Sequence, residues 1–204
     1  VADGMGGHRA GDYASRLCVE TMVQSLEKSA HKTPVSLFEE AVTAANKAVF
    51  EESASHVEYE GMGTTVVACT LEENTLYIAN IGDSRLYLIR DGIEQITDDH
   101  SLVEEMVKQG NITESEARIH PQKNIITRAL GINEEVQADF FEIDVEQGDV
   151  IMLCSDGLSN MIEDEDMEYI VKNSDTLQTA AESLVARANE NGGNDNITVV
   201  LAEV

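Results

Sequence analysis

Three times in this chain an apolar run meets an aspartate beside glycine. Val1-Ala2-Asp3-Gly4-Met5-Gly6-Gly7 opens the sequence, and Ile151-Met152-Leu153-Cys154-Ser155-Asp156-Gly157 repeats the design. Gly192-Gly193-Asn194-Asp195-Asn196 is a glycine turn carrying a carboxylate, and the apolar run Ile197-Thr198-Val199-Val200-Leu201 follows it. A carboxylate at a strand tip can reach a metal ion, and glycine lets backbone come close to whatever sits there. Each aspartate alone reads equally well as a turn residue. Together they point to one shared oxygen-ligand site for a hard cation, so the fold must bring three distant strand ends together.

The rest of the pattern supplies the elements. Ala14, Leu17, Cys18, Met22 and Leu26 recur every three to four residues and predict an amphipathic helix from His8 to about Ala30. A second helix is expected from Thr33-Pro34, with Thr33 as N-cap and an inner face of Leu37, Phe38, Ala41, Ala45, Ala48 and Val49. Residues 53–62 read as a loop. Strands follow at 64–71, 75–81, 85–90 and 93–97, and turns at Glu72-Glu73-Asn74 and Asp91-Gly92 predict an antiparallel meander that Gly82-Asp83-Ser84 interrupts. Residues 98–130 read as a helical excursion, with capping boxes at Ser101–Glu104 and Thr113–Glu116, and such an insertion is a candidate flap beside the site. Strands at 137–145 and 149–154, helices at 163–172 and 176–190, and a closing strand at 196–203 complete the order. The acidic run Glu163–Asp166 reads as a helix start favoured by the macrodipole rather than as a metal site. The expected class is α+β, a four-layer α-β-β-α sandwich in which two antiparallel sheets pack together under outer helices.

Charge narrows the function. The 204 residues carry 39 acidic against 13 basic side chains, a formal charge of −26, which sets the chain against nucleic acid. An acidic protein still handles phosphorylated substrates when divalent cations reverse the local field. Cys18, Cys69 and Cys154 show no Cys-x-x-Cys spacing and read as buried thiols of a reducing compartment. With no run of 18 apolar residues and no signal-peptide pattern, the expectation is a cytoplasmic protein without membrane partners. No heptad or exposed apolar stripe stands out, so a monomer is expected. His8, His31, His56 and His120 read as surface residues. His100 reads as a locally bonded helix-start residue in preference to a proton shuttle. Asn196 stays open between support of Asp195 and a plain turn role.

Four motifs in order, VADGMGGH (1–8), GDSR (82–85), CSDGLSN (154–160) and GGNDNITVV (192–200), resemble the metal-dependent Ser/Thr protein phosphatase family PP2C, in its bacterial form. The resemblance spans 1–204, read as a single domain with a flap at about 98–130. It implies two Mn²⁺ or Mg²⁺ ions between the sheets, with Asp3 bridging both and the Gly4 carbonyl on the second. It implies Asp156 and Asp195 on the first ion, and Asp83 at a third, weaker ion. Oxygen donors suit these cations, not zinc, and no two of the five histidines have metal-ligand spacing. The implied reaction is hydrolysis of phosphoserine and phosphothreonine in proteins by a metal-bridging hydroxide attacking phosphorus in line. No protein nucleophile is then needed. Phosphoproteins are the implied substrates, and a Ser/Thr kinase the natural counterpart. Met5 stands where eukaryotic members carry a histidine that protonates the leaving group, which leaves the general acid unassigned. The family's opening segment, with a further metal aspartate and a phosphate-gripping arginine, does not match these residues, so an N-terminal segment is expected to be missing, either from the protein or only from this numbering. That departure motivates the rival reading, a catalytically silent relative that works by binding a partner.

Overall fold

A computed structural model describes residues 1–30 and 33–204, the side chain of His8 excepted. The surface expectations for His8 and His31 lie outside what is described. The expected helix pair forms α1 (His8–Lys28) and α2 (Pro34–Ser55). On α1, Ala10, Ala14, Cys18 and Met22 are buried at a spacing of four, so one stripe of the helix faces inward. On α2, Val42 and Asn46 are buried where Leu37 and Ala48 were expected, and the latter two are half-buried. Asn46 tolerates burial because its amide donates to the carbonyls of Asn133 and Glu134 (both 3.0 Å) and accepts from the Gly131 amide (2.8 Å). Thr33 occupies the N-cap position, although its side chain makes no capping bond.

The segment expected as a loop at 53–62 is partly ordered structure. The helix runs to Ser55, Val57–Tyr59 is a 3-10 turn, and Met62 is fully buried. Tyr59 stacks on Tyr13 at 4.7 Å, which ties this turn to α1.

The strands are β1 (Gly4–Met5), β2 (Gly63–Thr64), β3 (Val66–Glu72), β4 (Thr75–Ile81), β5 (Arg85–Ile89), β6 (Ile93–Gln95), β7 (Asp139–Asp144), β8 (Val150–Cys154) and β9 (Val199–Glu203). All pairings are antiparallel: β1-β2, β3-β4-β7 and β6-β5-β8-β9. The single interrupted meander is therefore corrected. β4 pairs with β3 and β7, whereas β5 pairs with β6 and β8, so the chain changes sheets at Gly82-Asp83-Ser84. It changes sheets again between β7 and β8. A hairpin and a crossover carry similar local turn signals, so only packing decides between them.

Period-two alternation explains the layering. On β4, Leu76 and Ile78 face one way and Ala79 and Ile81 the other, and all four are buried. Ala79 and Ile81 join the α1–α2 core with Phe38, Ala41 and Val49. Leu76, Ile78 and Val67 meet Leu86, Leu88, Ile151 and Leu153 between the two large sheets. Tyr87, Ile89, Met152 and Cys154 face the last helices. Those helices are α5 (Asp156–Ser159), α6 (Asp164–Lys172) and α7 (Leu177–Glu190), and Leu158, Met167 and Leu184 complete that core. Three cores separate four layers, the expected α-β-β-α sandwich.

Residues 98–130 leave this frame as α3 (Leu102–Lys108) and α4 (Glu114–Arg118). Ser101 caps α3 through the Glu104 amide (3.2 Å), and Thr113 and Glu116 form a complete capping box. The two ends of the excursion are bonded together, Leu102 N–H to Ile125 C=O and Thr127 N–H to His100 C=O (both 2.8 Å). Among the described residues no helix is long and apolar enough to cross a membrane.

Candidate metal centre

Each motif aspartate sits on a loop whose backbone is fixed from outside the loop. Val1 exchanges both backbone bonds with Val67 (2.8 and 2.9 Å), which leads the chain into Asp3. The Asp3 carbonyl accepts from the Thr65 amide (2.8 Å) and the Thr64 hydroxyl (2.9 Å), and its amide donates to Thr65 Oγ1 (3.0 Å). Gly4 has a steric role as well: a Cβ there would lie 1.8 Å from the Gly11 carbonyl oxygen, so any side chain would push α1 off the loop.

Asp83 lies on the crossover from β4 to β5. Gly82 has φ +104°, and a Cβ on it would meet Thr65 at 2.6 Å. The Ser84 and Thr65 hydroxyls are 2.7 Å apart and buried, so Thr65 bonds both the Asp3 loop and the Asp83 turn. Gly82 N–H donates to His100 Nδ1 (3.0 Å), and His100 N–H donates to the Gly82 carbonyl (2.9 Å). The preferred expectation of a locally bonded His100 is corrected. Its ring partners, Gly82 and Asp139, lie 18 and 39 positions away, and Ser101 is the N-cap.

Asp156 is the first residue of α5, and the Asn160 amide donates to its Oδ2 (2.9 Å). Ser155 ties this loop to the Asp195 loop through three bonds: its amide to the Thr198 carbonyl (3.1 Å), its hydroxyl to the Asn196 carbonyl (2.9 Å), and the Thr198 amide to its hydroxyl (3.0 Å). A Cβ on Gly157 would lie 2.2 Å from the Asn196 carbonyl oxygen, so backbone meets backbone there. Asp195 Oδ1 accepts from the Asn196 amide (2.8 Å). Asn196 thus contributes main-chain atoms that join the two loops.

The four carboxylates influence one another. Asp3 is pushed up to about 7 by burial, by the charges of Asp156 and Asp195, and by a side-chain bond with Asp156. Asp83 is also pushed up to about 7, by burial first and then by Asp156 and Asp99. Burial and the neighbouring Asp195 raise Asp156. Arg85, next in the GDSR turn, offsets this only through its charge near Asp156, because its guanidinium is bonded elsewhere: it forks onto Asp99 (2.7–3.1 Å) and donates to Tyr87 Oη (2.9 Å). Among the described residues, no three carboxylate, thiol or imidazole groups already enclose one ion position. The aspartates are mutually repelling neighbours, and a divalent cation is what would draw them in. This donor set fits Mg²⁺ or Mn²⁺: it is all oxygen, and too rich in negative charge to persist ionised without a cation.

A cavity of about 530 Å³ opens beside Asp83 and Asp156. Its other walls are the excursion at 98–130, through Glu104, Val107 and Arg118, and the start of α6, through Glu163 and Asp164. Arg118 ties the excursion to that wall, donating to the Ser159 and Ile162 carbonyls (both 3.2 Å) and pairing with Glu163 (3.0 Å). Met5, exposed at the tip of β1, lines a smaller cavity of about 230 Å³ with Ile126, Ile132 and Val136. Of the residues named from the sequence, the structure brings Asp3, Asp83, Asp156 and Asp195 together, with Gly4 next to Asp3. Thr65, Ser84, Ser155, Asn160, His100 and Asp139 were not singled out as supports, although three of them lie inside the quoted motifs.

The carboxylate loops gather where two apposed antiparallel sheets end. The chain belongs to the protein phosphatase 2C family, whose model matches residues 1–202. It is 41% identical over 208 residues to the serine/threonine phosphatase stp of Listeria monocytogenes, covering 100% of this chain and 82% of that protein. Its fold is similar to the Mycobacterium tuberculosis serine/threonine phosphatase PstP/Ppp, with a TM-score of 0.92, 38% identity, and 100% of this chain and 86% of that one covered. It is also similar to the catalytic domain of the serine/threonine protein phosphatase PstP in complex with two manganese ions, with a TM-score of 0.89, 36% identity, and 99% and 85% covered.

Proposed function

We propose that this protein hydrolyses phosphoserine and phosphothreonine in proteins with the help of two Mn²⁺ or Mg²⁺ ions held by Asp3, the Gly4 carbonyl, Asp156 and Asp195. The observation that carries the reading is the convergence of Asp3, Asp83, Asp156 and Asp195 at one loop junction, where burial and their neighbours' charges push Asp3, Asp83 and Asp156 up. In this reading Asp83 holds a third, weaker ion. Divalent cations in this position supply an acidified water to attack phosphorus and positive charge to clamp the phosphate. The chain's own residues supply position. Asn160 orients Asp156, Ser155 keeps the Asp195 loop against it, and Thr65 keeps the Asp3 and Asp83 loops in register. The hydroxyls next to Asp83 and Asp156 are engaged in the frame, Ser84 with Thr65 and Ser155 with Asn196 and Thr198. Met5 cannot donate a proton, and the general acid is left unassigned.

Residues 98–130 act as the flap over the cavity, which receives the substrate segment around the phosphorylated residue. The three free cysteines fit a reducing, cytoplasmic setting, and a Ser/Thr kinase supplies the substrates. We read the protein as a monomer. The catalytically silent alternative has no structural observation in its favour. The test is phosphate release from a protein autophosphorylated on serine and threonine, with Mn²⁺, with Mg²⁺ and with chelator. Turnover in both metals and none with chelator is expected. Equal release with chelator would end the metal mechanism.

A further inference from the structure

The Asp83 turn is gripped on both sides of the aspartate. After it, Ser84 bonds Thr65. Before it, Gly82 is held twice by one residue, its carbonyl by the His100 amide (2.9 Å) and its amide by His100 Nδ1 (3.0 Å). A backbone amide can only donate, so Nδ1 carries no proton, and Nε2–H donates to Asp139 Oδ2 (3.0 Å). Asp139 is itself anchored by Arg128 Nη1 (2.7 Å). The imidazole is only 7% exposed, and both of its nitrogens are used. The His100 carbonyl accepts from Thr127, where the flap returns to the sheets. One residue therefore joins the Asp83 turn, both roots of the flap and strand β7.

The backbone bond from His100 to the Gly82 carbonyl already suffices to close this turn. The ring bond adds an orientational constraint on the peptide leading into Asp83, at a glycine whose φ of +104° leaves it freer than other residues. We propose that His100 is a positioning residue for the reaction. Its ring, oriented by Asp139 and Arg128, fixes the Asp83 carboxylate toward Asp3 and Asp156 and couples that carboxylate to the seating of the flap. The inference rests on the phosphatase reading for its kinetic consequence, but not for its structural one.

Two substitutions separate the two ring bonds. His100→Asn places an acceptor, Oδ1, where Nδ1 stands. His100→Gln places a donor, Nε2, where the ring's Nε2 stands, and leaves the Gly82 amide without its acceptor. Amide hydrogen exchange at Gly82, with and without Mn²⁺, and kcat and KM on a phosphothreonine peptide are the readouts. His100→Asn is expected to keep Gly82 protected and kcat within about threefold of wild type. His100→Gln is expected to expose Gly82 and lower kcat about tenfold, the equivalent of one hydrogen bond, with KM changed less than about twofold. Equal effects of the two variants, or unchanged Gly82 protection in His100→Gln, would overturn the proposal. If either variant fails to fold, Asp139→Ala carries the test. It releases the ring without touching Gly82, so exchange at Gly82 should rise and kcat fall, and no change in either would overturn the proposal equally. Absence of turnover by the wild-type protein would count against the phosphatase reading and leave the exchange comparison standing.

Discussion

Gly157→Ala tests how far the geometry of the carboxylate loops governs the reaction. The new Cβ would sit 2.2 Å from the Asn196 carbonyl oxygen and 2.9 Å from its carbon, and real Cβ contacts essentially never fall below 3.0 Å. The obstacle is backbone, so no rotamer relieves it. Either α5 or the loop carrying Asp195 must retreat until 2.2 Å becomes at least 3.0 Å, and Ser155, bonded to both Asn196 and Thr198, transmits the strain. Asp156 and Asp195 flank the contact on its two sides, so their separation changes by a similar amount. A misplacement on the order of 1 Å costs roughly 100-fold in rate. Stability should suffer less, because alanine is favoured over glycine in a helix by about 1 kcal/mol, which offsets part of the clash. The assay is kcat on a phosphothreonine peptide at saturating Mn²⁺, with the Mn²⁺ concentration for half-maximal activity and the Tm measured alongside. Gly92→Ala is the control, since a Cβ there meets nothing within 4 Å. We expect Gly157→Ala to lose about 100-fold in kcat and to need more Mn²⁺, while Gly92→Ala matches wild type. A Gly157→Ala enzyme within threefold of wild type would refute the claim that backbone contact between these loops sets the site.

Other consequences are independent of that contact. Because Asp3, Asp83 and Asp156 repel one another, Mn²⁺ at 100 times its dissociation constant should stabilise the protein by about 2.7 kcal/mol. That corresponds to roughly 5–10 °C in Tm for a chain of this size, and Asp156→Ala should abolish the shift in a calorimetric scan. Asn160→Ala removes the amide that orients Asp156 and should raise the half-maximal Mn²⁺ concentration about 10-fold; an unchanged metal titration would remove Asn160 from the account. Leu184→Ala should cost about 2–5 kcal/mol of stability by denaturant titration and leave kcat per folded molecule unaltered, since Leu184 is fully buried in the helix-side core. Burial lowers the His100 pKa, and Arg128 adds to this against the opposing pull of Asp139 and Asp99. The unfolded chain therefore takes up this proton first as pH falls. The contribution of a neutral His100 is complete above about 6.5 and declines below it. The Tm advantage of wild type over His100→Asn should shrink from pH 8 to pH 5.5, and a constant difference would contradict the assignment.

Periodicity carried much of this architecture. The four-residue stripe of Ala14, Cys18 and Met22 and the alternation of Leu76, Ile78, Leu86 and Leu88 announce their buried faces locally. What escaped sequence reading depends on partners remote along the chain. Asn46 looks like a surface residue until Gly131, Asn133 and Glu134 arrive to satisfy its amide. Met62 lies in a polar stretch, yet it fills the α1–α2 core. The change of sheet at Gly82-Asp83-Ser84 reflects pairing of β4 with β7, more than fifty positions on, which no turn signal encodes. The same division holds at the site. Asp3 and Asp156 advertise themselves through the strand–Asp–Gly pattern and Asp195 through a glycine turn before a strand, since the chemistry needs a carboxylate beside flexible backbone. Thr65, Ser155 and His100 act through bonds to other segments, and an isolated threonine, serine or histidine gives no local sign of that.

The most direct measurement is phosphate release from a phosphothreonine peptide as Mn²⁺ is titrated, for the wild-type chain and for Asp195→Ala. Asp195 is exposed and, among the described residues, its side chain is bonded through its following amide, so its loss should leave the fold intact. The account predicts Mn²⁺-dependent turnover by the wild type and a loss of at least 100-fold in Asp195→Ala at every Mn²⁺ concentration. Near-wild-type turnover by Asp195→Ala in a folded protein would contradict the carboxylate metal centre.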